Sequence, residues 1–168
     1  MTMFERFQTR LKHYYQSYKK SSINENLILT DIASADLHGS LSKLLNAKYL
    51  EDAQENQQKL YTGIRFGQGR LMFSLPTKIK NKTKNAIYLL DTSSPFNYLC
   101  EETITAFKVE IPTATFAISI SGINCDALVS GIITHFSEMN ILGSDFLHKS
   151  KAILNFDFEK DVFKIHLR

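Results

Sequence analysis

The stretch from Ala86 to Ser94 constrains the fold most, because five apolar residues run directly into an acid and three small hydroxyl residues. An unbroken apolar run of this kind predicts a strand covered on both faces, which ends where the backbone turns at Asp91. A carboxylate in such a place is costly unless it is hydrogen-bonded or shares a proton. Asp91 therefore either caps a turn, with Thr92 to Ser94 satisfying backbone groups, or pairs with a second carboxylate.

A second stretch, Met139 to Leu147, has two apolar residues before a glycine, then a polar pair and an apolar pair that open a helix. Together the two stretches resemble the retroviral-type aspartic proteases, the retropepsins. That family has an apolar run into Asp-Thr-Gly or Asp-Ser-Gly and, much later, Ile-Leu-Gly-x-Asp-Phe-Leu. The matching residues here are Leu89–Ser94 and Ile141–Leu147, with Ala152–Phe156 similar to the strand that follows. The resemblance covers about residues 70 to 160.

The resemblance implies a mainly β fold, a single-lobe acid-protease barrel with an α-helical N-terminal extension. The expected domains are residues 1–62 for the extension and 63–168 for the protease-like domain. It also implies an aspartic endopeptidase acting on peptide or protein substrates through a water. Because the chain has one Asp-Thr-Ser element and no room for a second lobe, the enzyme would be a homodimer.

The resemblance also assigns roles to residues. Asp91 would be catalytic, supported by the turn residues Thr92, Ser93 and Ser94. Thr92 would bond across the dimer, and Ser94 would bond the outer carboxylate oxygen. The catalytic turn would pack across a structural element formed by Ile141, Leu142 and Gly143, where a side chain on the glycine would strike the crossing backbone.

Two departures from the family pattern keep a second hypothesis open. Ser93 stands where the family has glycine, and Thr105 to Thr115 contains no glycine and is too short for the family's flap hairpin. The alternative is a catalytically inactive protease-like fold that serves as a dimerisation or protein-binding module.

The composition predicts no metal, no cofactor and no membrane span. The five histidines have no ligand spacing, and Cys100 and Cys125 suit small apolar fillers in a reducing compartment. No apolar segment approaches the roughly 18 residues that span a bilayer. We therefore expect an intracellular, cytoplasmic protein.

A basic stretch between Glu55 and Asp91 contains seven cations and no acid. Such a patch suits phosphates, but Lys78 to Lys84 alternates like a strand entering a turn at Asn81-Lys82 and has no interleaved aromatics. The pattern therefore favours a solvated hairpin over nucleic-acid binding.

The remaining periodicities predict two helices, over residues 2–20 and Ser40–Leu60. Pro76 suggests that Arg70–Ile79 is an edge strand. The other expected elements are a turn at Gly67-x-Gly69, strands near 96–99, 115–120, 125–129 and 131–133, a helix or turn from Glu101, and a terminal hairpin over 156–165.

Overall fold

A computed structural model describes residues 32–55, 58–108, 110, 115–130 and 137–168. Within them, strands predominate and the helices are short, which confirms the predicted mainly β class with a single barrel. The strands are β1 (Leu60–Phe66), β2 (Arg70–Ile79), β3 (Lys82–Leu90), β4 (Asn97–Leu99), β5 (Thr115–Ile120), β6 (Ile123–Val129), β7 (Asn140–Leu142), β8 (Ile153–Asp157) and β9 (Val162–His166). The helices are α1 (Ser34–Asp36), α2 (Ser42–Leu44), α3 (Glu101–Phe107) and α4 (Ser144–Lys149), with a π-helical turn, Leu37–Leu41, between the first two.

Six strands form a closed barrel in the order β3-β7-β4-β6-β5-β2, because β2 also pairs with β3. Strands β1, β9 and β8 extend the sheet outward from β2. The hairpins β2–β3 and β8–β9 are antiparallel, as predicted, and so is the hairpin β5–β6, whereas β3 pairs with β7 in parallel. The parallel pairing sets Leu90 beside Leu142, so it aligns the two stretches singled out in the sequence.

Strand β3 is covered on both faces, as its unbroken apolar run predicted. Ala86 and Tyr88 belong to the cluster inside the barrel. Ile87 and Leu89 belong to a second cluster, which also contains Ile32, Leu37, Leu41, Tyr49, Met72 and Met139. Each fully buried side chain of this size contributes about 1.5–3 kcal/mol, so β3 holds both clusters together.

Residues 32–55, here called the arm, form the outer side of the second cluster and differ from the prediction. The predicted helix over Ser40–Leu60 is wrong: helical turns span 34–44, and the backbone then becomes left-handed at Asn46 and Leu50. The chain continues along β3, with Leu50 N–H donating to the Asn85 carbonyl at 2.8 Å and Ala53 N–H to the Thr83 carbonyl at 3.0 Å. Pairing with an available strand edge has overridden the helical periodicity.

Pro76 does not mark an edge strand, and that expectation is wrong as well. Strand β2 lies between β3 on one side and β1 and β5 on the other. Along the second side, pairing with β1 ends at Met72 and pairing with β5 begins at Thr77. Pro76 falls in the gap between the two neighbours, where the missing N–H costs no ladder hydrogen bond.

Several other predictions have clear outcomes. Gly67 and Gly69 form a turn with positive φ, and α3 begins at Glu101 as expected. The expected domain boundary after residue 62 falls within β1. The predicted helix over residues 2–20 and the strand over 131–133 lie outside the described residues. Among the described helices, none has the length and apolarity needed to cross a membrane.

Candidate active site

Asp91 lies where β3 ends, at the point where that strand meets β7. Its backbone N–H donates to the Leu142 carbonyl at 3.1 Å, which continues the parallel pairing by one residue. Its side chain is half-buried. The buried strand behind it therefore fixes the carboxyl at the rim of the barrel.

The turn after Asp91 is held by its own hydroxyl residues. Ser94 N–H donates to the Asp91 carbonyl at 3.1 Å, and both the N–H and the hydroxyl of Ser93 donate to Asp91 Oδ1, at 2.9 and 2.5 Å. The Ser94 hydroxyl donates instead to the Phe96 carbonyl at 2.8 Å. The carboxylate contact expected of Ser94 is made here by Ser93: its backbone N–H closes an Asx-turn on Asp91 Oδ1, and its hydroxyl donates to the same oxygen.

Ser93 fits its position without backbone strain, since it is not among the residues with positive φ. Thr92 is exposed. Its expected hydrogen bond across a dimer stays a prediction.

Gly143 lies directly beneath this turn. Its N–H donates to the Asn97 side-chain oxygen at 3.0 Å, and Ser144 N–H donates to the Ser94 carbonyl at 2.8 Å. A Cβ at Gly143 would overlap the Phe96 carbonyl and would lie 2.9 Å from the Ser94 carbonyl oxygen. The glycine therefore permits a backbone crossing that any other residue would obstruct.

Asn97 is a site residue that sequence reasoning missed. It is fully buried, and its side-chain nitrogen donates to the Asp126 carbonyl at 3.0 Å and faces Asp145 Oδ2 at 3.4 Å. It thereby ties β4 to β6 and to the glycine turn. The only sequence signal was a polar residue inside a short strand.

Asp145 lies in the first turn of α4, and its side chain is in contact with other side chains. Lys149 Nζ lies 3.1 Å from Asp145 Oδ2 and 3.5 Å from Asp126 Oδ2. The hydrogen bond to Asp145, with the charge of Asp126 as a smaller cause, raises the pKa of Lys149. The lysine therefore neutralises the acid that faces Asn97.

Asn140, at the start of β7, is the centre of a second buried polar network. Its side-chain oxygen accepts from Cys100 N–H at 3.0 Å, and its nitrogen donates to the Ile87 carbonyl at 3.0 Å and to the Tyr49 hydroxyl at 3.3 Å. Tyr49 also bonds Thr103 at 2.8 Å, and burial raises the pKa of this phenol. This network, here called the Asn140 network, joins the arm, α3, β3 and β7.

The residues that follow Asp91 are exposed. They include Thr92, Ser93 and Pro95, and Phe96 is 50 % exposed. Two surface clefts, of about 710 and 470 Å³, are lined by other residues: the first lies between the arm and α3, and the second lies near Lys78 and Cys125. In the segment from Thr105 to Thr115, which was expected to be too short for a flap, the described residues are the end of α3, Lys108, Glu110 and the start of β5.

The described residues give little support to a metal site or to a phosphate-binding surface. No cluster of three His, Cys, Asp or Glu side chains there fits a metal ion. Two lysines of the basic stretch pair with the arm, Lys78 with Glu55 and Lys84 with Asp52, each at 2.6 Å. These pairs lower the pKa of both carboxyl groups.

The cysteines are expected to be unreactive in the folded protein. Both thiols are free and buried, and burial raises the pKa of Cys125 to about 12. Because the thiolate is the nucleophile, Cys125 should react with a disulfide reagent at pH 8 at least about 100-fold more slowly than an ordinary thiol. A colourimetric thiol assay with and without urea measures this, and rapid labelling of the native protein would contradict it.

The similarity to known proteins is one of fold and is seen among solved structures. No family model and no curated protein matches the sequence. A solved retropepsin-like aspartic protease from Rickettsia conorii matches with a TM-score of 0.45 and 15% identity, over 64% of this chain and 90% of that chain. Values this low assign no role to any residue here.

Proposed function

We propose that the chain is an aspartic endopeptidase that acts as a homodimer, with one Asp91 from each protomer. The position of Asp91 supports this most. Asp91 follows a buried strand and begins a turn, which is held by a hydrogen bond to the Leu142 carbonyl and by close packing against Gly143. A carboxylate held this rigidly at a barrel rim is suited to a reaction that demands exact placement.

The chemistry needs two carboxyl groups that share one proton. Like charges close together split their titration, so that one group is a base while the other is an acid at the same pH. The base removes a proton from a bound water as the water attacks the peptide carbonyl, and the acid protonates the carbonyl oxygen. Proton transfer to the leaving nitrogen then completes cleavage.

In this proposal the second carboxyl group comes from another copy of the chain. The sequence has one Asp-Thr-Ser element, and the described neighbours of Asp91 include hydroxyls and carbonyls but no second acid in hydrogen-bond contact. Thr92 and Phe96 are exposed around Asp91 and are available to such a partner.

Asp91→Asn tests the proposal. Asn keeps an oxygen acceptor for Ser93 but cannot act as a base. We expect the wild-type protein to cleave a diverse peptide library between about pH 3 and 7. The cleavage rate of the variant should be lower by about 10²–10⁴-fold or more. Mass spectrometry of the products measures the cleavage, and sedimentation confirms that both proteins have the same oligomeric state.

Asp52→Asn is the matched control, because it makes the same chemical change on an exposed arm residue. It should cleave like wild type. Equal cleavage by wild type and Asp91→Asn would show that any activity comes from elsewhere.

The second candidate is an inactive module for dimerisation or protein binding. It is favoured by the Ser93 hydroxyl, which already occupies Asp91 Oδ1, and by α3, which occupies the start of the segment where a flap is expected. If the wild-type protein cleaves no peptide over the whole pH range, this candidate is supported.

A further inference from the structure

A chain of polar contacts leads from the outer side of α4 to the glycine beneath the Asp91 turn. Lys149 Nζ lies 3.1 Å from Asp145 Oδ2, and the same oxygen faces the side-chain nitrogen of Asn97 at 3.4 Å. The oxygen of the Asn97 amide accepts Gly143 N–H at 3.0 Å. These four residues are here called the Asn97 network. It begins at an exposed cation and ends at a fully buried amide.

Gly143 is the member of this network that bears on Asp91. The Leu142 carbonyl before it accepts Asp91 N–H at 3.1 Å, and Ser144 N–H after it donates to the Ser94 carbonyl at 2.8 Å. The residues on either side of Gly143 therefore supply two of the hydrogen bonds that hold the turn. Because glycine has no side chain to anchor it, its own N–H bond within the network restrains the backbone between those two bonds.

The Asn97 amide makes its bond to Gly143 in one orientation only. Its nitrogen donates to the Asp126 carbonyl at 3.0 Å and faces Asp145 Oδ2. An amide turned end for end would place its NH₂ against Gly143 N–H and its oxygen against a carbonyl and a carboxylate. Because a charged acceptor binds an N–H donor more strongly than a neutral one, the Asp145 carboxylate favours the orientation in which the amide oxygen faces Gly143.

Lys149 in turn holds Asp145 beside the amide. The Asp145 side chain is 27 % exposed, and Lys149 is its ion-pair partner among the described residues. Lys149 Nζ also lies 3.5 Å from Asp126 Oδ2, so the cation lies between carboxyl groups from α4 and β6. Without this cation the two carboxylates would repel each other, and Asp145 would turn toward water and away from Asn97.

We propose that Lys149 is a positioning residue for the active-site turn. Through Asp145 it keeps the Asn97 amide oxygen directed at Gly143 N–H, and Gly143 keeps the turn of Asp91 in place. The effect on catalysis rests on the proposed peptidase function, whereas the effect on Gly143 does not. The two effects are therefore measured separately.

Lys149→Met tests the effect on cleavage, because Met keeps an apolar stem and removes the charge. Its kcat should fall by about ten- to 100-fold and its KM should change by less than about twofold, since a displaced carboxyl group weakens transition-state stabilisation rather than substrate binding. Lys149→Arg keeps a cation that reaches the same carboxylate, so it should retain at least about half of the wild-type kcat. Initial rates on a peptide that the wild-type protein cleaves give both constants.

Lys78→Met is the matched control. Lys78 forms an ion pair of the same kind with Glu55, its side chain is 39 % exposed against 37 % for Lys149, and it lies outside the Asn97 network. This variant should cleave like the wild-type protein. Circular dichroism verifies that all three variants fold, as expected for substitutions of partly exposed side chains.

Amide hydrogen exchange followed by NMR tests the network without any cleavage. In Lys149→Met the Gly143 amide should exchange at least about tenfold faster than in the wild-type protein, whereas Lys149→Arg and Lys78→Met should leave its exchange rate unchanged. The resonances of the Asn97 side-chain NH₂ group should move in Lys149→Met alone.

The results distinguish this proposal from the proposed function. If the wild-type protein cleaves no peptide but Gly143 exchanges faster in Lys149→Met, the peptidase function is wrong and the positioning role is supported. Unchanged exchange at Gly143 in Lys149→Met overturns the positioning role, whether or not the wild-type protein cleaves. An active wild-type protein whose kcat is unaffected by Lys149→Met overturns it as well.

Discussion

Gly143→Ala is expected to lower the free energy of unfolding by about 3 kcal/mol. The added Cβ would overlap the Phe96 carbonyl, which also accepts the Ser94 hydroxyl. The neighbouring Ser94 carbonyl is held as well, by Ser144 N–H. Because both obstacles are backbone atoms fixed by hydrogen bonds, neither can move without opening the turn that carries Asp91.

Urea denaturation followed by circular dichroism measures the loss. Gly39→Ala is the matched control, since nothing lies within 4 Å of its added Cβ and it belongs to the π-helical turn. It should be neutral or stabilise by up to about 1 kcal/mol. Equal midpoints for the two variants would show that the crossing at Gly143 is looser than described.

Asn140→Ala is expected to cost about 3–5 kcal/mol. It leaves Cys100 N–H and the Ile87 carbonyl buried without their side-chain partner and removes a donor to Tyr49. Each buried polar group left unsatisfied costs about 1–3 kcal/mol. The Asn140 network joins four parts of the chain, so the arm and the barrel should lose stability together.

Hydrogen exchange distinguishes a loss of stability shared by the arm and the barrel from a loss confined to one of them. Amides of the arm and of β7 should both lose protection in Asn140→Ala. Asn124→Ala, on an exposed position of β6, should change stability by no more than about 0.5 kcal/mol. Loss of protection confined to β7 would mean that the network does not couple the arm to the barrel.

The features that local sequence predicted well are those whose causes are local. The run before Asp91 required cover on both faces, the glycines at 67 and 69 required a turn, and the alternation of β8 and β9 required a hairpin. In each case neighbouring residues supply the constraint. Gly143 is different, because its constraint comes from the distant Ser94 and Phe96 carbonyls and was expected only from the family resemblance.

The features that sequence missed depend on distant partners. Apolar spacing after Ser40 was equally compatible with a long helix, and only the open edge of β3 directs the arm into extended pairing. Pro76 is tolerated inside β2 because two different neighbours meet there. Asn97 and Asn140 are ordinary polar residues in the sequence, and their importance comes from burial among partners 29 to 91 residues away.

The second apolar cluster also bears on how the protein can be shortened for laboratory work. A fragment that begins at residue 63, after the expected domain boundary, would retain Met72, Ile87 and Leu89 but lose Leu37, Leu41 and Tyr49, which cover them. It would also lose the extended residues along β3 and part of β1. Such a fragment would expose an apolar surface and two unpaired strand edges to solvent, and both promote precipitation during expression. Truncation libraries should therefore keep the chain from residue 32 onward.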